Sequence, residues 1–195
     1  MAAGRPQQYE SEQVLDAVMH AFWQRGYDGT SLRDLLDATG LSKSSFYELF
    51  ESKQRALEQS LERYCDAVIA DLQARLRAAP SATAFIDDVL TSAAAETLAA
   101  DDPRGCMIVN VATEFSARDP QVREKVAASV ARVTKVLTVA VKRGQSDGDI
   151  AVGKDPNVLG RYVLSSLCGL RTMVKAGSSD RAMREVIGIV LSALR

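Results

Sequence analysis

Apolar residues recur at the spacing of an α-helix over almost all of this 195-residue chain. In the first segment of this kind, Val14, Ala17, Val18, Ala21 and Phe22 share one helical face. The alternation of apolar and polar residues that is typical of β-strands is missing throughout. The pattern therefore predicts an all-α fold of about nine helices.

Charge and cysteine content exclude several classes of protein. Lys plus Arg number 24 and Asp plus Glu 25, so the global charge indicates no partner. The three cysteines, Cys65, Cys106 and Cys168, are widely spaced, which argues against a disulfide framework and against paired-cysteine metal sites. The N-terminus lacks the apolar segment of a secretory signal, and no apolar run approaches the roughly 20 residues of a membrane span. We expect a cytoplasmic protein without membrane contact, metal or cofactor.

Residues 31–50 have the layout of a helix-turn-helix. Ser31 and Asp34 have the spacing of a capping box at the start of the first helix, and Gly40 is a typical end for it. Ser42 can cap the second helix. We expect the apolar face of that second helix to be formed by Phe46, Leu49 and Phe50.

The first turn of the second helix, SKSS, is polar and would bury nothing. A helix N-terminus presents free backbone N–H groups and a partial positive charge, and therefore attracts phosphate. The hydroxyls of Ser42, Ser44 and Ser45 are small enough to let a backbone approach, and Lys43 can reach guanine or phosphate. In a helix-turn-helix this turn meets the DNA major groove. On spacing alone, an ordinary helical hairpin with a serine-rich cap is the alternative.

The stretch FWQRGYDGTSLRDLLDATGLSKSSFYELFESK resembles the DNA-binding domain of TetR-type transcriptional regulators. The resemblance runs from Val14 through about Leu57, while the remainder is similar only in the number and order of helices. It implies a DNA-binding domain of three helices, which we assign to residues 1–55. It also implies a larger helical domain, residues 56–195, that binds a small-molecule effector and dimerises through its last two helices.

The resemblance also implies which residues contact the operator. In the family pattern Tyr47 and Lys53 contact phosphates, and Lys53 begins the fourth helix. The expected DNA-contacting residues are Thr30, Ser31, Arg33, Ser42, Lys43, Ser44, Ser45, Tyr47 and Lys53.

Some positions depart from the family pattern. The family often has Gly where Ser44 stands, and an aromatic residue or His where Glu48 and Leu49 stand. Residues 1–55 carry six basic side chains against eight acidic ones. DNA binding must therefore rest on a few clustered cations, which implies a shallow dependence on salt.

The last two helices, about 156–195, are apolar over wide faces and rich in small residues. A face of that width requires burial on more than one side. A monomer core is one interpretation. We favour a homodimer, because a two-fold axis places two recognition helices on successive major grooves.

Cys106 lies at a predicted helix start in RGCMIVN, beside Arg104. The helix dipole and the cation both favour a thiolate, so Cys106 is a candidate sensor of electrophiles or oxidants. Some TetR-type repressors of detoxification operons are similar here, with a cysteine after an RG-like pair. A small buried apolar residue is the alternative for Cys106, and the apolar stripes around Cys65 and Cys168 favour packing.

Asn110 and Glu114 follow Cys106 at four-residue steps and share its helical face. We name as effector-binding candidates Cys106, Met107, Asn110, Glu114, Phe85 and Tyr162. Apolar residues at helical spacing are more often core than pocket, and Glu114 is as well suited to solvent.

The sequence thus predicts a transcriptional regulator, a repressor that a small-molecule effector releases from its double-stranded operator DNA. A redox- or electrophile-sensing repressor that acts through Cys106 is one alternative, and an all-α interaction protein without DNA binding is another. An enzyme is not expected, because the chain has no Gly-rich phosphate loop, no metal-ligand spacing and no nucleophile motif.

Overall fold

The computed structural model of the protein describes residues 5–99, 104–115 and 117–195. Within these residues the chain forms nine α-helices and no β-strand, as the helical periodicity predicts. They are α1 (Arg5–Arg25), α2 (Leu32–Thr39), α3 (Lys43–Phe50), α4 (Lys53–Ala78), α5 (Ala82–Ala99), α6 (Met107–Glu114), α7 (Pro120–Asp147), α8 (Pro156–Lys175) and α9 (Asp180–Ser192).

The described residues form two compact units. The first comprises those of Met1–Asp66 and Asn110–Ser129, and the second those of Ala67–Val109 and Val130–Arg195. The division into DNA-binding residues 1–55 and effector-binding residues 56–195 is a division of function and stays a prediction.

In the first unit, α1 packs against α2, and the core is built from large apolar side chains. Its wholly buried members include Val18, Leu35, Phe46, Leu57 and Leu61. Complete burial of a side chain of this kind stabilises a fold by about 1.5–3 kcal/mol. This core holds the short helices α2 and α3, which would be marginal in isolation.

The ends of α2 and α3 are those that the sequence predicts. Ser31 and Asp34 form a reciprocal capping box, in which Asp34 N–H donates to Ser31 Oγ at 3.1 Å. Gly40 ends α2 in the left-handed region, with φ of 68°. Ser42 caps α3 by accepting from Ser45 N–H at 3.1 Å.

Aspartate followed by proline starts two of the long helices. Asp119 accepts from the N–H groups of the next turn, Gln121 at 2.8 Å and Val122 at 3.1 Å, and Pro120 is the first residue of α7. Asp155 accepts from Asn157 N–H at 2.7 Å in front of Pro156. Both starts confirm the sequence prediction, since proline lacks the N–H that a first helical residue leaves unused.

In the second unit, α5 packs against α8 and α9, and α8 also packs against α9. Helices α7 and α8 approach closely at Gly160, where a Cβ atom would lie 2.4 Å from Thr138 Oγ1. Across the described residues no helix combines the length and the hydropathy that a membrane crossing would need. The fully buried side chains of this core include Phe85, Ile86, Leu90, Met107, Leu137 and Leu194.

Candidate DNA-binding surface

Helix α3 has one buried face and one polar, exposed face. Phe46 and Phe50 are buried, with ring centroids 4.9 Å apart. In the first turn Ser42, Lys43 and Ser44 are exposed, and Tyr47 is 41% exposed. The helix thus presents its N-terminal turn and one aromatic side chain to the solvent.

The expected apolar face of α3 is wrong at one position. Leu49 is 40% exposed, whereas Phe46 and Phe50 are buried as predicted. Phe46 and Phe50 are four residues apart and differ by only about 40° around the helix axis. Leu49 lies about 100° from Phe50 and therefore falls at the edge of the buried face. Leu49 therefore extends the exposed face and adds an apolar group to it.

The three serines of the α3 entrance form a small hydroxyl network. Ser42 Oγ lies 2.9 Å from Ser44 Oγ and 2.9 Å from Ser45 Oγ. The arrangement gathers three hydroxyls at the first turn of α3. It surrounds the end of α3 where the helix dipole favours an anion.

Ser31 and Arg33, both exposed, are available at the start of α2. The Ser31 hydroxyl and its backbone N–H donate to the Asp34 carboxylate, and they hold the pKa of Asp34 below its usual value, aided by the charge of Arg25. The carboxylate of Asp37 lies 3.8 Å from Arg33, and both side chains are largely exposed. Such a pair contributes little to stability, so Arg33 remains free to meet a phosphate.

Thr30 does not belong to this surface, and the prediction of a DNA contact there is wrong. The residue is 0% exposed, and its hydroxyl donates to Gly26 O at 2.6 Å and Ala21 O at 3.3 Å. A hydroxyl that is buried and engaged with two backbone carbonyls cannot reach DNA. Thr30 instead binds the turn after α1 to the start of α2.

Lys53 is the first residue of α4, as predicted, and is half-buried. Its ammonium donates to Tyr27 O at 2.6 Å and lies 4.1 Å from the centroid of the Tyr27 ring. Burial raises the pKa of Tyr27, and the charges of Asp28 and Asp119 add to the effect. A phosphate contact by Lys53 stays a prediction, in which the phosphate would share the ammonium with Tyr27.

Three other cations of the first unit have carboxylate partners. Arg25 pairs with Asp34 at 2.7 Å, and Arg55 pairs with the buried Glu58 at 2.9 Å. Arg63 donates to both oxygens of Asp16, at 2.8 Å and 3.1 Å, and these bonds hold the pKa of Asp16 below its usual value. These arginines neutralise the unit's own acidic groups.

The effector candidates lie in both units. Phe85 and Met107 are buried core residues of the second unit, which also contains the half-exposed Cys106 and Tyr162. Asn110 belongs to the first unit. Their role in effector binding stays a prediction.

Glu114 is in the first unit and has partners that sequence reasoning missed. Its carboxylate accepts from Tyr27 N–H at 2.8 Å and from Asp28 N–H at 2.7 Å. Both oxygens are therefore engaged with the turn that follows α1, so the alternative of a solvated side chain does not hold, and a role in effector binding stays a prediction. A separation of 86 residues leaves no signal of this contact in the sequence.

Two of the three cysteines meet in the second unit. The Cys168 thiol on α8 is hydrogen-bonded to Cys106, and this bond together with burial raises the pKa of Cys168. Gly105 adopts a left-handed conformation, with φ of 71°, directly before Cys106. Cys65 is buried, which agrees with the packing role expected for it. A packing role is also expected for Cys168, but that expectation does not include its hydrogen bond to Cys106.

The second unit also contains a groove of about 340 Å³. This volume falls in the range of small-molecule sites. None of the predicted effector residues lines it. Its walls are formed by Ile69, Gln73, Leu76, Arg132, Lys135, Val136 and Val139.

Comparison with known families matches both parts of the chain. Residues 14–58 match the family described as bacterial regulatory proteins, tetR family. Residues 74–190, more than half of the chain, match the family described as tetracyclin repressor-like, C-terminal domain. Together the two matches cover the helix-turn-helix and most of the second unit.

Individual relatives extend over nearly the full length. The chain is 27% identical over 189 residues to the HTH-type transcriptional repressor ComR of Escherichia coli K12, and the match covers 96% of this chain and 90% of ComR. A cysteine mutant of the TetR family regulator CifR, solved with a 26-base-pair operator duplex, is 27% identical with a TM-score of 0.83, covering 94% of this chain and 96% of that one. Reduced NemR of E. coli shares the fold, with a TM-score of 0.85 at 20% identity over 96% of this chain and 97% of NemR.

The different positions of Thr30 and Ser44 give opposite expectations for two small substitutions. Thr30→Val should lower the free energy of unfolding by about 1 kcal/mol, since a buried hydrogen bond is lost at constant volume. Ser44→Ala should leave the free energy of unfolding nearly unchanged and weaken DNA binding. Urea unfolding and a gel-shift titration measure the two effects. An exposed, stability-neutral Thr30 would contradict the assignment.

Proposed function

The chain belongs to the TetR family of bacterial transcriptional regulators, and we propose that it is a homodimeric repressor that an effector releases from its operator. The single observation that supports the DNA contact most directly is the exposed N-terminal turn of α3. Ser42, Lys43, Ser44 and Tyr47 share this exposed surface. A two-helix motif of this kind places such a turn against base edges and phosphates in the major groove.

Few cations carry the electrostatic part of this contact. Lys43 forms no ion pair within the described residues, and Arg33 has only a long, exposed one. Each lysine or arginine that neutralises a phosphate releases counterions, so the affinity of a few-cation binder falls only moderately with salt. Specific contacts at the serine turn must then supply a large share of the affinity.

The exposed apolar side chains of α8 and α9 support a homodimer through these helices. Ile189 is 68% exposed, and Val158, Met173 and Val186 are each about half-exposed. A Cβ atom at Gly169 or Gly188 would meet no other atom, so another helix could approach closely at both glycines. Apolar groups at this density are typical of an interface core rather than of a free surface.

The effector is a small molecule that binds in the second unit. Release from DNA requires that it bind the DNA-incompetent state more tightly than the competent one. The groove of about 340 Å³ offers one site in this unit. Because the DNA that a bacterial regulator binds is in the cytoplasm, we assign the protein to that compartment.

A thiol response is a second candidate function, and the hydrogen bond between Cys168 and Cys106 favours it. A hydroperoxide would oxidise Cys106 to the sulfenic acid and leave as the alcohol. The Cys168 thiol would then attack that sulfur and form a disulfide with release of water. Both thiols are partly exposed, so a small oxidant can reach them.

Lys43→Ala should weaken operator binding at least tenfold in the full-length protein, because each half-site loses a base or phosphate contact. The slope of log K against log salt should decrease by about two for the dimer. The operator is first selected from a random DNA pool with the wild-type protein. Lys142→Ala, which removes another exposed lysine, on α7, is the matched control. Equal retention of both variants would refute the assignment of α3.

Ile189→Glu should convert the dimer to a monomer, since a carboxylate at the interface core loses its hydration without gaining a partner. Sedimentation velocity measures the change. Val152→Glu is the matched control, because Val152 is 79% exposed but lies in the loop before α8. A dimer that survives Ile189→Glu would exclude the α9 interface.

Oxidation by a hydroperoxide should lower operator affinity in the wild type and produce one intramolecular disulfide. Cys106→Ser should not respond, whereas Cys168→Ser should stop at the sulfenic acid. Cys65→Ala should respond like the wild type, because its thiol is buried. Peptide mapping identifies the bond, and a gel shift reports the affinity. A full response in Cys106→Ser would exclude this second candidate.

A further inference from the structure

The last residue of α6 binds the turn that follows α1 through two backbone N–H groups. Glu114 Oε2 accepts from Tyr27 at 2.8 Å, and Oε1 accepts from Asp28 at 2.7 Å. A carboxylate that accepts two N–H groups at these distances makes two charge-assisted hydrogen bonds, which are stronger than neutral ones. Glu114 is half-buried, so water competes only partly for these donors.

The turn has the residue that this approach requires. Gly26 has φ of 73°, and a Cβ atom there would lie 2.6 Å from Glu114 Oε2. Any side chain at this position would both strain the backbone and displace the carboxylate. The conformation of the turn and the position of Glu114 therefore depend on the same glycine.

Two neighbouring contacts join the same segments. The rings of Phe115 and Tyr27 lie 4.4 Å apart, and Arg118 pairs with Asp28 at 2.5 Å. An apolar, an ionic and a hydrogen-bonding contact thus converge on two consecutive residues of the turn. Convergence of this kind restrains the turn far more than any one contact would.

This restrained turn also holds the start of α4. Tyr27 O accepts from Lys53 Nζ at 2.6 Å, and Lys53 follows the last residue of α3, Phe50, by only three positions. The turn also holds α2, because the Thr30 hydroxyl donates to Gly26 O at 2.6 Å. Helix α3 is connected to these two fixed points at its two ends.

We propose that Glu114 is a positioning residue for operator binding, which sets the turn after α1 and through it the ends of α3. The inference rests on the proposed contact between α3 and the operator. Glu114, Phe115 and Arg118 thus contribute to operator binding through the turn that they contact, although Glu114 touches no DNA itself.

The test is Glu114→Gln in the full-length protein. The amide keeps the shape but can accept with one oxygen only and presents an NH₂ group to an N–H. Operator Kd should rise about tenfold or more, with the dimer and the helical circular dichroism retained. Glu124→Gln is the matched control, since it removes an equal charge from an exposed position in the same unit. Its Kd should stay within about twofold.

Amide hydrogen exchange by NMR separates positioning from general stability. The N–H groups of Tyr27 and Asp28 should exchange slowly in the wild type and rapidly in Glu114→Gln, while the core amide of Val18 is unchanged. Slow exchange of both amides in the variant, or an unchanged operator Kd, would overturn the proposal. A wild type that selects no operator at all would instead refute the α3 assignment, with the exchange result unaffected.

Arg118→Gln decides the outcome if Glu114→Gln does not fold. It removes an exposed ion pair at Asp28 and should fold normally. Operator Kd should rise about two- to threefold, since the turn loses one weaker restraint. No change in Kd for this variant would count against the proposal.

Discussion

The burial of Phe46 and Phe50 is the constraint on which the rest of the DNA-binding surface depends. Both side chains are buried, and their rings lie 4.9 Å apart on one face of α3. In a helix of eight residues this fixes the rotation about the axis, because the two anchoring positions are four residues apart. This rotation turns Tyr47, which lies about 100° from Phe46 around the axis, toward the solvent. Lys43 precedes Phe46 by three residues and Phe50 by seven, so it is on their side of the helix, and it is exposed because it lies in the first turn of α3.

Rotation about the axis does not by itself fix where the ends of α3 lie. That depends on the turn after α1, where the Tyr27 carbonyl accepts from the Lys53 ammonium and the Tyr27 N–H donates to the Glu114 carboxylate. The centroid of the Tyr27 ring lies 4.1 Å from the Lys53 ammonium and 4.4 Å from the centroid of the Phe115 ring. The side chain and the two backbone polar groups of Tyr27 therefore join the turn after α1 to the start of α4 and to the end of α6.

Features that depend on local sequence could be predicted, and features that depend on distant contacts could not. The caps at Ser31, Ser42 and Asp155 follow from residue type and the next three positions, and all three are present. The fold class follows in the same way from helical periodicity.

The errors have a common physical cause. Thr30 is of a residue type that is typical of an exposed helix cap, yet it is buried where α1 packs against α2. Glu114 accepts a hydrogen bond from a turn 86 residues away, and Cys168 is hydrogen-bonded to Cys106, which lies outside α8. Helical periodicity identifies which face is apolar, but it does not identify what covers that face.

The distribution of charge explains how a domain with an acidic balance can bind a polyanion. Several acidic groups of the first unit are paired with arginines. Asp34, Glu58 and Asp16 are each matched by an arginine, at 2.7–2.9 Å. Pairing of this kind reduces the field that either partner exerts at the distance of a phosphate. On α3 itself, Lys43 and the helix dipole both attract a phosphate at the N-terminus, whereas the exposed Glu48 opposes it nearer the other end of the helix.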